Sequence, residues 1–147
     1  MSIAVRNAVT TWEGSLAAGG GTLTGASGAL SELPVTWAAR TEEPGGKTSP
    51  EELAAAAHSS CFAMALSLRL TERHRPPERL RVEASVTLDE VDGLPTIISS
   101  QLLVRARVNG LDDDEFAQAV KEAEQLCPVS RLFAGARVSV EALLEPN

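Results

Sequence analysis

The chain has 147 residues, of which 44 per cent are hydrophobic, enough for a packed core and too many for a disordered chain. It carries 20 acidic and 13 basic residues, and the net charge of −7 repels phosphate backbones, which argues against nucleic-acid binding. Only 3 per cent of the residues are aromatic, so the usual stacking platform for bases is missing. The length fits a single domain over residues 1–147.

The sequence contains no continuous run of about 18 apolar residues, which predicts that no segment spans or binds a membrane. The first residues lack the apolar core of a secretory signal, so we expect a cytoplasmic protein. Thiols in that reducing compartment rarely form permanent disulfides. The sequence has only two cysteines and two histidines, which are few residues for a zinc site. We therefore expect neither a metal nor another cofactor.

The first third of the chain predicts short strands separated by glycines. Residues 3–12 are rich in β-branched side chains, which favours a first strand. Gly19-Gly20-Gly21 predicts a turn before a short strand at residues 22–24, because glycine clusters commonly interrupt helices and strands. Residues 34–40 form a third strand candidate, and a loop follows over residues 41–49.

A long helix is the clearest element in the sequence. Ser49 supplies an N-cap, Pro50 suits the first helical position, and Glu52 completes a predicted capping box. No glycine or proline interrupts the helix before about residue 70, and Pro76-Pro77 is expected to stop it. One apolar stripe at helical spacing is expected in the core: Leu53, Ala57, Cys61, Met64 and Leu68.

The second half of the chain contains further strands and helices. In chain order these are a strand at residues 80–89, a strand at 96–108, a helix from residue 112, a short helical piece after Ser130 and a strand at 137–144. Asp92-Gly93 marks the turn of a hairpin between the first two strands. Pro128 is expected to bend the chain at the end of the second helix. The mixed order of strands and helices predicts an α+β fold.

Cys61 and Cys127 are the groups most capable of chemistry. A cysteine in an apolar helical stripe is usually a small core residue, but Cys127 lies against Pro128 at a helix end. Attack on a peroxide needs a thiolate, and only about 3 per cent of a thiol with a pKa near 8.5 is ionised at pH 7. Because burial lowers that fraction further, such a site needs a nearby arginine and a carboxylate that holds it.

Several stretches resemble the OsmC/Ohr family of osmotically inducible and organic hydroperoxide resistance proteins. Residues 49–53 and 58–67 resemble the central helix of that family. Cys127-Pro128-Val129-Ser130 resembles its second-cysteine motif, and the valine is typical of the OsmC branch. Trp12-Glu13-Gly14 and residues 88–93 also resemble OsmC stretches. The matching segments occur in the right order over nearly the whole chain.

The resemblance implies an intertwined α+β homodimer with a long central helix and two active sites at the subunit interface. It implies that Cys61 becomes a sulfenic acid and that Cys127 resolves it as a disulfide. It assigns the supporting acid to Glu51 and the arginine to Arg40. A small dithiol, typically a lipoyl group on a protein, then reduces the disulfide. The implied function is reduction of organic hydroperoxides, and of hydrogen peroxide more weakly, in defence against oxidative and osmotic stress.

Helix geometry gives a separate reason to expect a dimer. Glu51 and Cys61 are ten residues apart, hence roughly 15 Å along one helix axis and on different faces. Glu51 therefore cannot support the thiolate of its own chain. A symmetric dimer with antiparallel central helices would bring Glu51 from the second copy.

Other interpretations remain open at this point. Glu51 has the commoner role of a first-turn helix acid, and Arg40 that of a charge at a strand end. His58 is more often a packing residue than a base, and Arg69 is another candidate for the arginine beside the thiolate. Two further functions stay open. One is a non-catalytic module for a small ligand or a redox-sensing partner, and the other is a thiol hydrolase that uses Cys61 and His58.

Overall fold

Six strands and four helices make up the chain in the computed structural model, which describes residues 1–147. The strands form two three-stranded sheets, and the chain divides into two units, residues 1–53 and 54–147. The helices do not alternate regularly with parallel strands, and the predicted α+β class is confirmed. The expectation of a single domain over residues 1–147 stays a prediction.

The first unit contains an antiparallel sheet followed by a short helix. Its strands lie side by side in chain order: β1 (Ala8–Glu13), β2 (Gly20–Gly25) and β3 (Leu33–Val35). Helix α1 (Trp37–Thr41) follows β3. Thr36 caps α1, because its hydroxyl oxygen accepts a hydrogen bond from the backbone N–H of Ala39.

The strand predictions for this unit are partly wrong. The first strand begins at Ala8 and not at residue 3, because β2 offers pairing partners only to residues 8–13. Gly20 and Gly21 belong to β2 and not to a turn. A Cβ atom at Gly21 would lie 3.0 Å from the Trp12 ring, so glycine is needed there for close packing.

Residues 34–40, predicted as one strand, divide between β3 and α1. The change occurs at Thr36, whose side-chain hydrogen bond satisfies an N–H of the first helical turn. The sequence suggested one strand over these residues, but this local cap favours a helix. As a consequence Arg40 lies on a helix and not at a strand end.

Helix α2 (Pro50–Glu72) is the long helix that the sequence predicts. The Ser49 hydroxyl accepts a hydrogen bond from the Glu52 N–H, as an N-cap should. The capping box is only half formed, because the Glu52 carboxylate accepts a hydrogen bond from the Thr48 hydroxyl at 2.6 Å. The helix ends before Pro76-Pro77, since His74 adopts a left-handed φ of 58°.

By length and composition alone, α2 is long and apolar enough to cross a membrane, with a hydropathy of 1.3. No such segment was expected from the sequence. The criterion is met because alanine, leucine and methionine fill most of the positions between the polar ones. Core helices of folded domains meet the same criterion, so it is weak support for a membrane role.

The second unit is built on a mixed sheet. Its strands lie in chain order: β4 (Arg79–Val91), β5 (Leu94–Arg107) and β6 (Arg137–Leu144). The pair β4 and β5 is antiparallel, whereas β5 and β6 run parallel. Asp92 and Gly93 have φ values of 51° and 78°, as a tight hairpin turn requires, so the predicted hairpin is confirmed.

Two more helices complete the second unit: α3 (Asp113–Leu126) and α4 (Pro128–Leu132). Asp112 and Glu115 form a full capping box at the start of α3. The final strand covers the predicted residues 137–144. Helix α4 starts at Pro128 and not after Ser130, because proline suits the first position of a helix.

The core of the second unit joins α2, α3 and β5. Its largest fully buried apolar side chains are Phe62, Leu66, Leu70, Leu102, Val104 and Val108. The predicted core stripe of α2 is wrong, since Met64 is 72% exposed and Leu68 is 47% exposed. Helix α2 has apolar residues on almost every face, so periodicity alone does not identify the face that packs on the sheet.

Candidate active site

Cys61 and Cys127 lie together in the second unit, and both are free thiols. Cys61 is half-buried on α2, whereas Cys127 is fully buried between α3 and α4. The two side chains are neighbours, and Cys127 contributes to the raised pKa of Cys61. Thiols in such contact can form a disulfide once one of them is oxidised, provided that the backbone keeps them close.

The sequence at the junction of α3 and α4 sets the position of Cys127. Cys127 has φ −66° and ψ 112°, the extended geometry that a following proline imposes, so the predicted bend is confirmed. Its N–H donates to the carbonyl of Ala123 at the end of α3. Its own carbonyl accepts from the N–H of Arg131 in α4. Cys127 therefore lies at the residue where α3 ends and α4 begins.

Burial is the largest influence on Cys61 and raises the pKa of its thiol. The backbone N–H of Val129 favours the thiolate and lowers the pKa of Cys61 in part. The neighbouring Cys127 raises the pKa of Cys61 again. The net shift is upward, so these surroundings keep Cys61 protonated at neutral pH. Thiolate chemistry at this position needs an additional positive charge.

Arg40 and Glu51 form a two-pronged ion pair in the first unit. The Arg40 Nε lies 3.0 Å from both carboxylate oxygens of Glu51, and Nη2 lies 2.7 Å from Oε1. The two side chains are 28% and 11% exposed, so the pair is largely shielded from water. The guanidinium also lies 5.7 Å from the centre of the Trp37 ring. Arg40 is therefore a held and oriented cation, not a free surface charge.

An apolar cavity of about 390 Å³ opens beside Arg40 in the first unit. Its walls include two tryptophans and several aliphatic side chains, among them Trp12, Trp37, Leu16, Leu23 and Leu53. Arg40 is the charged residue among those that line this cavity. Such a mixture suits a small organic molecule with one polar end.

His58 precedes Cys61 by one helical turn and is fully buried. Its Nδ1 lies 2.6 Å from the Ser100 hydroxyl oxygen, and its Nε2 lies 2.8 Å from that of Ser130. Burial lowers the pKa of His58, which keeps the imidazole neutral at pH 7. Both ring nitrogens are engaged by serines, so neither is free to take a proton from the Cys61 thiol. This arrangement fits the packing role and disfavours the thiol hydrolase.

The four predicted site residues thus form two pairs, Cys61 with Cys127 in the second unit and Arg40 with Glu51 in the first. Arg69, the alternative arginine, pairs with Glu72 at 2.5 Å on its own helix. Three further groups surround the thiols and His58: Val129 and Ser130, which the sequence indicated only as part of the second-cysteine motif, and Ser100, which it did not indicate. The signal for Ser100 is its place on the buried face of β5, where its neighbours at alternate positions are aliphatic.

Comparisons with known proteins identify the family. A family model described as OsmC-like protein matches residues 43–142. Peroxiredoxin OsmC of Escherichia coli (strain K12) is 40% identical over 122 residues, which cover 83% of this chain and 85% of the relative. An organic hydroperoxide resistance protein of Xanthomonas axonopodis pv. citri (strain 306) is 29% identical over 92 residues, or 62% of this chain and 63% of the relative.

Solved structures agree with this match. The organic hydroperoxide resistance protein OhrB of Bacillus subtilis superposes with a TM-score of 0.65 at 27% identity. That superposition covers 95% of this chain and 98% of the OhrB chain. An OsmC protein of Legionella pneumophila gives a TM-score of 0.71 at 22% identity, over 99% of this chain and 100% of its own, and supports the fold. The chain belongs to the OsmC/Ohr family, with higher identity to its OsmC relative than to its Ohr relatives.

Proposed function

We propose that the protein is a thiol peroxidase that reduces organic hydroperoxides, with Cys61 as the peroxidatic thiol and Cys127 as the resolving thiol. The position of these two free thiols beside each other in the second unit is the observation that carries the proposal. Relatives named peroxiredoxin OsmC and organic hydroperoxide resistance protein support the peroxidase-type role.

The two thiols supply both electrons for the reduction. The Cys61 thiolate attacks one peroxide oxygen, the O–O bond breaks, and the alcohol leaves with a proton while Cys61 becomes a sulfenic acid. The Cys127 thiol then attacks the Cys61 sulfur, so that an S–S bond forms and water leaves. A small dithiol restores both thiols by exchange and is itself oxidised to a disulfide. A protein-bound lipoyl group in a reducing cytoplasm fits that last step.

The charge that Cys61 needs points to a second copy of the chain. Arg40 is held by Glu51 at the start of α2, and Cys61 lies ten residues further along the same helix, roughly 15 Å away. In a symmetric dimer with antiparallel α2 helices, each Arg40 and Glu51 pair would lie beside the partner's thiol. The guanidinium would then lower the pKa of Cys61, which burial raises in the single chain.

The exposed face of α2 supports the same dimer. Met64 and Leu68 follow Cys61 along this face at helical spacing, and both are largely exposed. Small residues flank them, including Ala57 and Ser60, which are also exposed. A face of small and apolar side chains lets another helix approach closely, and its burial would stabilise the pair of chains.

The cavity beside Arg40 supports an organic substrate. Its apolar walls suit the alkyl or aryl part of a hydroperoxide, and the guanidinium can bind the peroxide oxygens. Hydrogen peroxide has no organic part to fill such walls. We therefore expect organic hydroperoxides to be reduced faster than hydrogen peroxide.

Peroxide consumption with a dithiol reductant tests the proposed function. Cumene hydroperoxide and hydrogen peroxide are compared for the wild type and for Cys61→Ser. Turnover that prefers cumene hydroperoxide and disappears in Cys61→Ser supports the proposal. No consumption by wild-type protein with both thiols titrated as free would overturn it and favour a non-catalytic binding module.

A further inference from the structure

We propose that His58 is a positioning residue for the disulfide-forming step. It holds the first turn of α4 through Ser130 and thereby keeps Cys127 beside Cys61. This inference rests on the proposed peroxidase cycle and concerns the control of its second step. The residues involved are buried side chains that the chemistry of peroxide attack does not itself use.

The first turn of α4 is attached to α2 at two consecutive residues. The hydroxyl of Ser130 hydrogen-bonds to Nε2 of His58 at 2.8 Å, and the backbone of the preceding residue, Val129, interacts with the thiol of Cys61 and lowers its pKa. His58 and Cys61 are one helical turn apart, so these two contacts lie on the same side of α2. Because Cys127 immediately precedes α4, any movement of this turn moves the resolving thiol.

The imidazole of His58 is itself fixed from the other side. Its Nδ1 lies 2.6 Å from the hydroxyl of Ser100, a fully buried residue of β5. The ring of Phe133, at the end of α4, lies 5.1 Å from the imidazole centre. A neutral imidazole has one N–H and one lone pair, and two serine hydroxyls can satisfy both. His58 therefore connects α2, β5 and α4 without an unpaired polar atom.

The two contacts to α4 are not equally durable during the reaction. When Cys61 gains an oxygen, the sulfur that interacts with the Val129 backbone changes its shape and charge. The bond between His58 and Ser130 involves no reacting atom and stays in place. It holds Cys127 near the sulfenic sulfur while the S–S bond forms and water leaves. Without it the sulfenic acid lives longer and meets a second hydroperoxide, which oxidises it to a sulfinic acid.

A single-turnover experiment separates the two steps. Reduced protein receives one equivalent of cumene hydroperoxide, sulfenic acid is trapped with dimedone at set times, and the disulfide is measured by mass spectrometry. In Ser130→Ala we expect Cys61 oxidation within about twofold of wild type and disulfide formation about tenfold slower, the effect of one lost hydrogen bond. Ser130→Thr keeps the hydroxyl and should restore the rate. Ser139→Ala, at an exposed serine of β6, is the matched control.

The outcomes distinguish this inference from the proposed function. If wild-type Cys61 is oxidised and folded Ser130→Ala forms the disulfide at the wild-type rate, the positioning role is wrong and the peroxidase cycle stands. An equal slowing of both steps would also overturn it, because a general structural defect has that effect. If Cys61 of the wild type is never oxidised, both fail together. Should Ser130→Ala lose its circular dichroism signal, Ser100→Ala is measured in the same way, and an unchanged disulfide rate there overturns the inference.

Discussion

The guanidinium of Arg40 holds the carboxylate of Glu51 in a fork, with Nε 3.0 Å from both oxygens and Nη2 2.7 Å from Oε1. Such a fork fixes the plane of the guanidinium as well as its position, which a single hydrogen bond does not. One Nη group makes no hydrogen bond to Glu51 and is free to bind a substrate oxygen. The pair therefore has the properties of an oriented cation whose charge is partly balanced.

Arg40→Lys should slow the oxidation of Cys61 by cumene hydroperoxide roughly 10- to 100-fold, because lysine keeps the charge but loses the fork. Glu51→Gln should have an effect of similar size, since it releases the guanidinium. Stopped-flow measurement of the second-order rate constant checks both. Arg81→Lys, at an exposed arginine of β4, is the matched control and should leave the rate unchanged. If Arg40→Lys reacts at the wild-type rate, Arg40 has no role in the oxidation of Cys61.

Mixing two inactive variants should restore activity if each site uses two chains. A Cys61→Ser chain still supplies Arg40, and an Arg40→Ala chain still supplies Cys61. In a mixed dimer one of the two sites then contains both residues, so we expect up to about half of the wild-type activity per dimer. The two variants are first dissociated into single chains and then mixed so that mixed dimers can form. The consumption of peroxide is then measured. Activity that stays at the level of the separate variants would mean that one chain builds the whole site, or that no dimer forms.

The rate of Cys61 modification should depend on pH through its thiolate. Burial raises the pKa of Cys61, so in Arg40→Ala the reactive form should appear only as the pH rises above the ordinary thiol range. In the proposed dimer the guanidinium of Arg40 would favour the thiolate, so the wild-type rate should rise at lower pH than the rate of Arg40→Ala. Alkylation by iodoacetamide is followed in a Cys127→Ser background so that one thiol reacts. If the alkylation rate depends on pH in the same way in both proteins, Arg40 has no role in ionising Cys61.

Burial of His58 should make the protein less stable in mild acid. Its folded pKa is lowered from the ordinary 6.5, so the unfolded chain binds a proton more readily. The free energy of unfolding should therefore fall as the pH falls below about 6.5 and on toward the folded pKa. The free energy of unfolding is measured in urea at several pH values for the wild type and for His58→Asn. The difference between the two pH dependences is the contribution of His58. His74→Asn, at an exposed histidine, is the matched control variant.

Local signals in the sequence predicted much of the fold. Asp92-Gly93 fixes the hairpin because both positions need a positive φ, and Pro128 fixes the bend at Cys127. The buried face of α2 was not predictable, since its apolar residues occur on almost every side and give several equally good stripes. A single side-chain cap at Thr36 turned an expected strand into a helix, which composition does not reveal.

The candidate site was predictable in a different way. The roles expected for Cys61, Cys127, Arg40 and Glu51 came from the family resemblance, and the requirement for a cation came from thiol chemistry. The bond between His58 and Ser130 joins residues 72 positions apart, and no sequence pattern connects them. Contacts of this kind depend on how α4 packs on α2, so they are visible only once the chain is folded.

Mass-spectrometric mapping after oxidation tests the central proposal most directly. Reduced wild-type protein and Cys127→Ser are each treated with one equivalent of cumene hydroperoxide and then digested without reductant. We predict a disulfide between the Cys61 and Cys127 peptides in the wild type, and a dimedone-trapped sulfenic acid on Cys61 in Cys127→Ser. Two results would contradict the assignment of Cys61 as the peroxidatic residue. In the first, both thiols are recovered free and the hydroperoxide is not consumed. In the second, oxidation begins at Cys127 while Cys61 stays reduced.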